Sequence, residues 1–345
     1  MPAIDKVDTA LARLRQAAEL SEFYYQRPLT LAYSGGKDSE VCLELAKLAG
    51  APFRVIHNLT TADAPETVRH VRKKFHELEL AGVACEIVRP RYKGQPVSMW
   101  SLIPQKLMPP TRAVRYCCQV LKEGNTPHQL VVIGVRSGES VKRQNAGVAE
   151  TVGKKQCRKV FDFDNEDERI IAPCQTKSEI RIHPIVDWTN ADVWAFLRDS
   201  KTLVNPVYSM GFSRCGCVGC PLGGKARYHE FRVWPVYERL YRKAFSRMLE
   251  ARRAAGKNTR RWRNADELFR WWMEDENLEG QLDLFGGDPH PGHLRPTPSR
   301  TAGRCGRRPH RGRVYQGDVP NGTGEPRIQL HRHSGGRLGV PGAFL

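Results

Sequence analysis

The sequence has no apolar run approaching the roughly 18 residues that a membrane-spanning helix needs, which excludes a transmembrane helix. Its opening residues, MPAIDKVDTALARLRQ, lack the apolar core of a secretory signal and mix acids with helical periodicity instead. A cytoplasmic location without a membrane partner is therefore expected. Internal repeats are also missing, so array folds are excluded. Acids are scarce: 37 Asp and Glu face 55 Lys and Arg, and the net charge is +18. Apolar residues are not scarce. At 40% of 345 residues they can build a sizeable core, which excludes disorder over the whole chain. Ten cysteines in such a chain point to metal or redox chemistry more than to disulfides.

The charge is uneven. Residues 289–345 hold ten Arg, no Lys and two acids, and residues 222–263 hold thirteen basic residues and three acids. Residues 1–221 carry +7 and residues 264–288 carry −7. From Pro289 onward, 19 of 57 residues are Gly or Pro and no periodicity lasts, so buried apolar surface cannot offset chain entropy. An unstructured tail is expected there. The alternative is an Arg/Gly-rich nucleic-acid tail, but its aromatics are limited to Tyr315 and Phe344. The folded part is expected to end near Leu284-Phe285-Gly286.

Val7, Leu11, Leu14 and Ala18 fall at helical spacing within residues 4–22. Apolar strands are expected at 28–33, 52–57, 84–88 and 129–135, with a helix from the SGGKDS segment through Leu48. A further helix opens at Pro65, with Val68, Val71, Phe75 and Leu78 on one face. Thr189 and Asp192 read as a capping box for a helix around Val193, Trp194 and Leu197. Beyond Cys220 the chain reads as helical, with Asn264 and Glu267 capping a short helix that contains Trp271 and Trp272. Strands alternating with helices predict an α/β fold, a mainly parallel doubly wound sheet with helices on both faces. The expected organisation is a nucleotide-binding domain over 1–221, a helical extension over 222–286 and a disordered tail over 287–345.

Ser34-Gly35-Gly36-Lys37-Asp38-Ser39 lies between a strand and a helix, where free backbone N–H groups and the positive helix end face an anion. The glycines allow a tight turn and close approach to phosphate, and the hydroxyls and Lys37 add donors. The usual P-loop spacing, GxxxxGK[ST], is not present. An ordinary glycine turn with a capping serine is the plainer alternative.

The SGGKDS segment resembles the pyrophosphate loop of the ATP pyrophosphatase superfamily, which includes phosphoadenosine-phosphosulfate (PAPS) reductases, ATP sulfurylase small subunits and thiolation enzymes. Further segments similar to the PAPS reductase family follow in order: Pro65-Glu66-Thr67, Gly134-Val135-Arg136, Glu139-Ser140, Arg143, His183 to Trp188, Asp192 to Trp194, and Asn205-Pro206. The similarity covers about residues 28 to 235. It implies ATP or a related adenine nucleotide at the carboxyl ends of the strands, with phosphates on Ser34, Gly35, Gly36, Lys37, Asp38 and Ser39. It also makes Asp38 a candidate for holding Mg²⁺ on the phosphates. Arg112, Arg115, Lys122, Arg136 and Arg143 are candidates for clamping anionic groups, with solvated surface charge as the alternative for each. Lys37, Asp38 and Arg115 are the expected catalytic set. Asp187 reads as a structural cap or turn residue.

Cys117-Cys118 and Cys217-Val218-Gly219-Cys220 form a CC…CxxC set. Four thiolates suit a [4Fe–4S] cluster; a Cys₄ zinc site and free thiols are the alternatives. Iron–sulfur adenylyl-sulfate reductases carry a pattern similar to this one, and Arg115 and Lys122 favour thiolates beside it. Cys215 is a spare buried cysteine, an alternative ligand or a sulfur carrier. Cys42 and Cys85 read as core, and Cys157 and Cys174 flank an acidic loop at 162–168.

One departure separates the chain from PAPS and adenylyl-sulfate reductases, which carry a catalytic cysteine in a Glu-Cys-Gly context near the C-terminus. Here only Cys305, in Arg304-Cys305-Gly306-Arg307, follows Cys220. A complete loop with a cluster resembles the sulfur-transfer proteins of DNA phosphorothioation and some tRNA thiolation enzymes instead. The expected activity is cluster-assisted adenylylation and sulfur transfer, with a sulfur donor or reductant protein as partner. The alternatives are a reductase that forms sulfite and a non-catalytic nucleotide-binding subunit. The basic block Arg252-Arg253, Lys257 and Arg260 to Arg263 is a candidate nucleic-acid contact, with Trp262 stacking on a base; a solvated helical surface is the alternative.

Overall fold

The computed structural model describes residues 4–123, 129–139, 143–144, 146–152, 159–161 and 179–274, all within a compact unit of Met1–Gly287. Outside the described residues lie Ser140, Cys157, Cys174, Cys305, the 162–168 loop, the end of the folded part expected near Leu284 and the tail from Pro289. No helix among the described residues is long and apolar enough to cross a membrane.

Helix α1 (Ile4–Tyr25) buries Leu14 and Ala18 from its apolar stripe against the core. The chain then enters β1 (Leu29–Ala32), α2 (Lys37–Ala49), β2 (Phe53–Asn58), α3 (Pro65–Leu80) and β3 (Cys85–Val88). Pro65 occupies the first turn of α3, where its missing N–H costs nothing. Helix α2 stops at Gly50, whose φ of 68° is left-handed, the conformation glycine adopts without a Cβ penalty. A small hairpin, β4 (Arg91–Tyr92) and β5 (Gln95–Pro96), leads into α4 (Met99–Lys106) and α5 (Tyr116–Leu121). Next come β6 (Leu130–Val132), β7 (Ala149–Val152), β8 (Lys159–Phe161), β9 (Glu179–Ile182) and α6 (Asn190–Asp199). The predicted capping box at Thr189 and Asp192 opens α6. Helices α7 (Ala226–Val233), α8 (Pro235–Ala254) and α9 (Ala265–Glu274) follow.

The main sheet runs β3-β2-β1-β6-β9-β7-β8. The first five strands are parallel, and β7 and β8 add antiparallel at one edge. This is the α/β, mainly parallel doubly wound fold expected from the alternating elements. From β1 the chain steps outward to β2 and β3, then returns across β1 to β6. The order therefore reverses between β1 and β6, and a sheet of this kind opens its ligand crevice at the carboxyl ends of the strands flanking such a switch.

Two apolar clusters hold the unit together. The first joins the sheet to α1, α2, α3 and α6 around Leu31, Val55, Val132, Ile182 and Trp188. Arg13 fastens α1 to the His183–Trp188 turn, meeting Asp187 Oδ1 at 3.0 Å and the Pro184 carbonyl at 2.9 Å. Asp187 is thus a structural ion-pair partner. The second cluster packs α4 and α5 against α7, α8 and α9 through Leu102, Tyr241, Phe245 and Trp272. Trp262 belongs to this cluster and is 2% exposed. The expectation that it stacks on a base is corrected: its ring lies in the core, with Trp271 at 5.0 Å. Cys42 is buried as expected, whereas Cys85 is only half-buried because β3 is an edge strand.

Candidate functional site

The SGGKDS turn leaves the carboxyl end of β1 and opens α2. Gly35 has a φ of 77°, and a Cβ there would stand 3.0 Å from Val71 and 3.2 Å from Thr67 on α3. The turn is held from the far side by Asn205, whose amide donates to the Gly35 carbonyl at 2.9 Å and to Thr67 Oγ1 at 3.0 Å. Ser39 Oγ donates to the Gly36 carbonyl at 2.8 Å and lies 3.1 Å from Ser34 Oγ. The Lys37 backbone N–H donates to Tyr208 Oη at 2.8 Å. The amides of Asp38 and Ser39 have no carbonyl behind them within the helix, as at any helix start. That end carries positive potential toward the crevice.

The neighbouring strand completes the floor. After β6 the chain turns at Gly134 so close to α2 that a Cβ would meet the Asp38 carbonyl at 2.7 Å. Only hydrogen fits there. The next side chains converge on the loop: Arg136 is 5% exposed and its Nε donates to Asp38 Oδ1 at 2.6 Å. Lys37 Nζ meets Asp38 Oδ2 at 3.1 Å. Both carboxylate oxygens of Asp38 are thus engaged by cations. The Mg²⁺ role expected for Asp38 does not fit this arrangement, in which the carboxylate orders Lys37 and Arg136 instead. Arg143 does not reach the loop. It pairs with Glu139, which in turn stands 3.8 Å from Arg136 Nη2.

Behind the loop lies a buried polar network that the sequence did not announce. The Tyr33 hydroxyl donates to Glu40, His70 Nε2 is 2.9 Å from that hydroxyl, and Lys74 Nζ is 2.8 Å from Glu40 Oε1. Burial first, then Glu40, pushes the Tyr33 hydroxyl far above its usual range, so it remains a donor. These contacts fix α2 to α3 beneath the residues that face the crevice.

The cysteines come together from two distant stretches. Cys117 and Cys118 sit in α5, which starts right after Arg115. Cys217 and Cys220 sit in a loop docked on the segment that follows β2: Asp63 pairs with Cys217 as an antiparallel bridge, and Val218 N–H donates to the Ala62 carbonyl at 2.7 Å. Gly219, at φ 75°, is packed so tightly that a Cβ would meet Phe231 at 2.5 Å and Tyr241 at 2.8 Å. Its N–H donates to Glu230 Oε2 at 2.6 Å. The CxxC loop thus takes its shape from α7 and α8.

The four thiols share one electrostatic neighbourhood. Cys118 is lowered to about 5 by a hydrogen bond from Cys117, then by Arg115, whose Nη2 stands 3.2 Å from its sulfur. Cys117 is raised by the same hydrogen bond and by burial. Cys217 is pushed up to about 11 by burial, against the pull of Lys122. Lys122 is itself held charged, first by Cys217 and then by Asp63. Arg115 and Lys122 therefore lie beside the thiols. Among the described residues no three His, Cys, Asp or Glu side chains stand in a metal-holding arrangement. The donor chemistry nonetheless fits a soft metal centre: four sulfurs, two cations beside them and an apolar shell from the second cluster.

Cys215 stands apart from these four. It hydrogen-bonds Tyr208 and lies in the field of Lys37 and Asp38; burial raises it to about 11. It belongs to the loop side of the crevice, two residues before Cys217. Tyr208 and Asp63 carry no recognisable pattern in the sequence, because each acts through a partner far along the chain.

The chain matches the family model "Phosphoadenosine phosphosulfate reductase domain" over residues 28–222, more than half of its length. An uncharacterised protein of Methanocaldococcus jannaschii is 27% identical over 222 residues, covering 62% of this chain and 46% of that protein. The adenosine 5'-phosphosulfate reductase of Bacillus cereus is 21% identical over 216 residues, covering 59% of this chain and 79% of that enzyme. A phosphoadenylyl-sulfate reductase from Candida auris, solved as a phosphate complex, aligns with a TM-score of 0.37 at 16% identity, covering 63% of this chain and 96% of that one. The chain spans less than half the length of the two M. jannaschii proteins it matches. With the motif order, the sheet and the family match in accord, the chain belongs to the phosphoadenosine phosphosulfate reductase domain family.

Proposed function

We propose that the protein is an enzyme that binds an adenine nucleotide, ATP above all, on residues 34–39 and activates an acceptor as its adenylate. The observation that carries this is the convergence at the β1–β6 switch point of a helix-opening glycine turn, clipped by Asn205, with Lys37 and buried Arg136, both held by Asp38. An oxygen of the acceptor attacks the α-phosphorus of ATP, forming one P–O bond as the bond to the bridging oxygen of pyrophosphate breaks. Lys37 and the amides at the start of α2 stabilise the charge that gathers on the departing pyrophosphate. Asp38 keeps the Lys37 and Arg136 side chains aimed, so neither has to reorganise during the reaction. Cys117, Cys118, Cys217 and Cys220 are the residues that would hold a [4Fe–4S] cluster, which would supply redox capacity.

A purified, anaerobic preparation mixed with ATP and candidate acceptors should bind ATP and release pyrophosphate, and Lys37→Ala should lower that release at least about a hundredfold. Absence of both ATP binding and pyrophosphate release contradicts the proposal. A second reading, reduction of adenylyl sulfate to sulfite, is favoured by the B. cereus relative, whose name carries that activity. Sulfite formed from adenylyl sulfate and a thiol reductant, without pyrophosphate release from ATP, selects it.

A further inference from the structure

The first 221 residues carry a net +7, and the stretch from Arg89 to Lys122 alone holds seven basic residues and no acid. That block accounts for the whole of the excess, and the rest of residues 1–221 balances to zero. Arg89, Arg91, Lys93, Arg112, Arg115 and Lys122 are exposed, and Lys106 is half-buried. The fold gathers this block with the later basic segment. Lys106 Nζ sits 4.2 Å from the centre of the Tyr92 ring and 5.8 Å from that of Tyr116 in α5, joining the β4–β5 hairpin to the helix that bears Cys117 and Cys118. At the same end of α4, the Leu107 carbonyl accepts from Arg252 Nη1 at 2.6 Å. Arg253, Lys257, Arg260 and Arg261 continue from there, all exposed.

Helix dipoles account for part of this charge. Lys106 and Arg252 both lie where the carboxyl ends of α4 and α8 leave carbonyls to satisfy. They do not account for the hairpin, where Arg89, Arg91 and Lys93 crowd within five residues, nor for Lys257 and Arg260 beyond the end of α8. Like charges held this close repel one another, and a polyanion relieves that repulsion while releasing its counterions. The Tyr92 ring is half-buried, with Lys93 at 5.6 Å and Lys106 at 4.2 Å from its centre. A ring set between cations matches the alternation of base and phosphate in an unpaired strand.

We propose that this face, from the β4–β5 hairpin across Lys106 to residues 252–261, docks a single-stranded nucleic acid beside the cysteine-bearing helix. The inference goes beyond the adenylate chemistry, since docking is measured without turnover. The test uses the full chain and a fluorescein-labelled 20-nucleotide single-stranded RNA, with single-stranded DNA of the same sequence, its duplex, polyglutamate and phosphatidylserine vesicles as parallel arms. The variant Arg89→Glu/Arg91→Glu/Lys93→Glu is compared with Arg27→Glu/Lys47→Glu/Arg198→Glu, which makes the same change in net charge away from this face. The expected result is single-strand binding, to RNA or DNA, that the first variant weakens at least about tenfold, with a salt slope shallower by about two. The second variant should bind as the parent does. Equal binding by parent and first variant, equal losses in both variants, or a preference for duplex or vesicles overturns the proposal. ATP binding by the same preparations separates the two claims: strand binding without ATP binding retains this face and removes the adenylate reaction, whereas the reverse removes the face alone.

Discussion

Single residues decide how well the crevice is made. Gly219 is the sharpest case, because its left-handed φ and the 2.5 Å approach of Phe231 leave no room for a side chain. Gly219→Ala should destabilise the protein by about 2–4 kcal/mol, read as a lower urea midpoint, and should loosen the CxxC loop. Asn205 is the second. Its side chain bonds the Gly35 carbonyl, Thr67 Oγ1 and the Val207 N–H while 1% exposed. Asn205→Ala leaves buried partners unsatisfied and should cost about 1–3 kcal/mol, with weaker ATP binding in calorimetry because the glycine turn is no longer clipped to α3. The cysteine pairs were legible from their spacing alone. The partners that shape them were not, since Glu230, Asp63 and Tyr208 look ordinary until the chain has folded.

Elements show where periodicity informs and where it fails. Helices α1, α2, α3 and α6 and strands β1, β2, β3 and β6 follow from apolar patterning with capping or Pro signals, and their boundaries match within a few residues. Short elements were opaque. Helix α4 opens with a Ser98 and Ser101 capping box and contains Pro104, and α5 spans only Tyr116–Leu121; neither is long enough to display a stripe. The terminal helices depend on tertiary contacts. Arg227, wholly buried, donates to the Trp272 carbonyl at 2.9 Å and the Met273 carbonyl at 3.2 Å, closing the end of α9 over α7. Arg227→Ala should cost about 3–5 kcal/mol by thermal unfolding and free α9 for proteolysis, because it removes a buried cation and orphans two carbonyls. By comparison, Thr189→Ala at the exposed start of α6 should cost only about 1 kcal/mol.

At the scale of the whole molecule, two sites meet at one edge of the sheet. The loop after β1 and the segment after β2, on which the CxxC loop docks, leave neighbouring parallel strands, so an anion site and a thiol site share the same carboxyl-end crevice. Motif order had already indicated the doubly wound sheet and both constellations. It had not indicated that Asp38 serves two cations or that Trp262 is core. Each of those depends on which distant groups the fold brings alongside. The most direct measurement is metal and sulfide content with a visible spectrum on anaerobically prepared protein, beside Cys217→Ser. The account predicts a brown protein with about four irons and four sulfides per chain, bleached in the variant. A colourless, iron-free parent, or one carrying a single zinc, would contradict it.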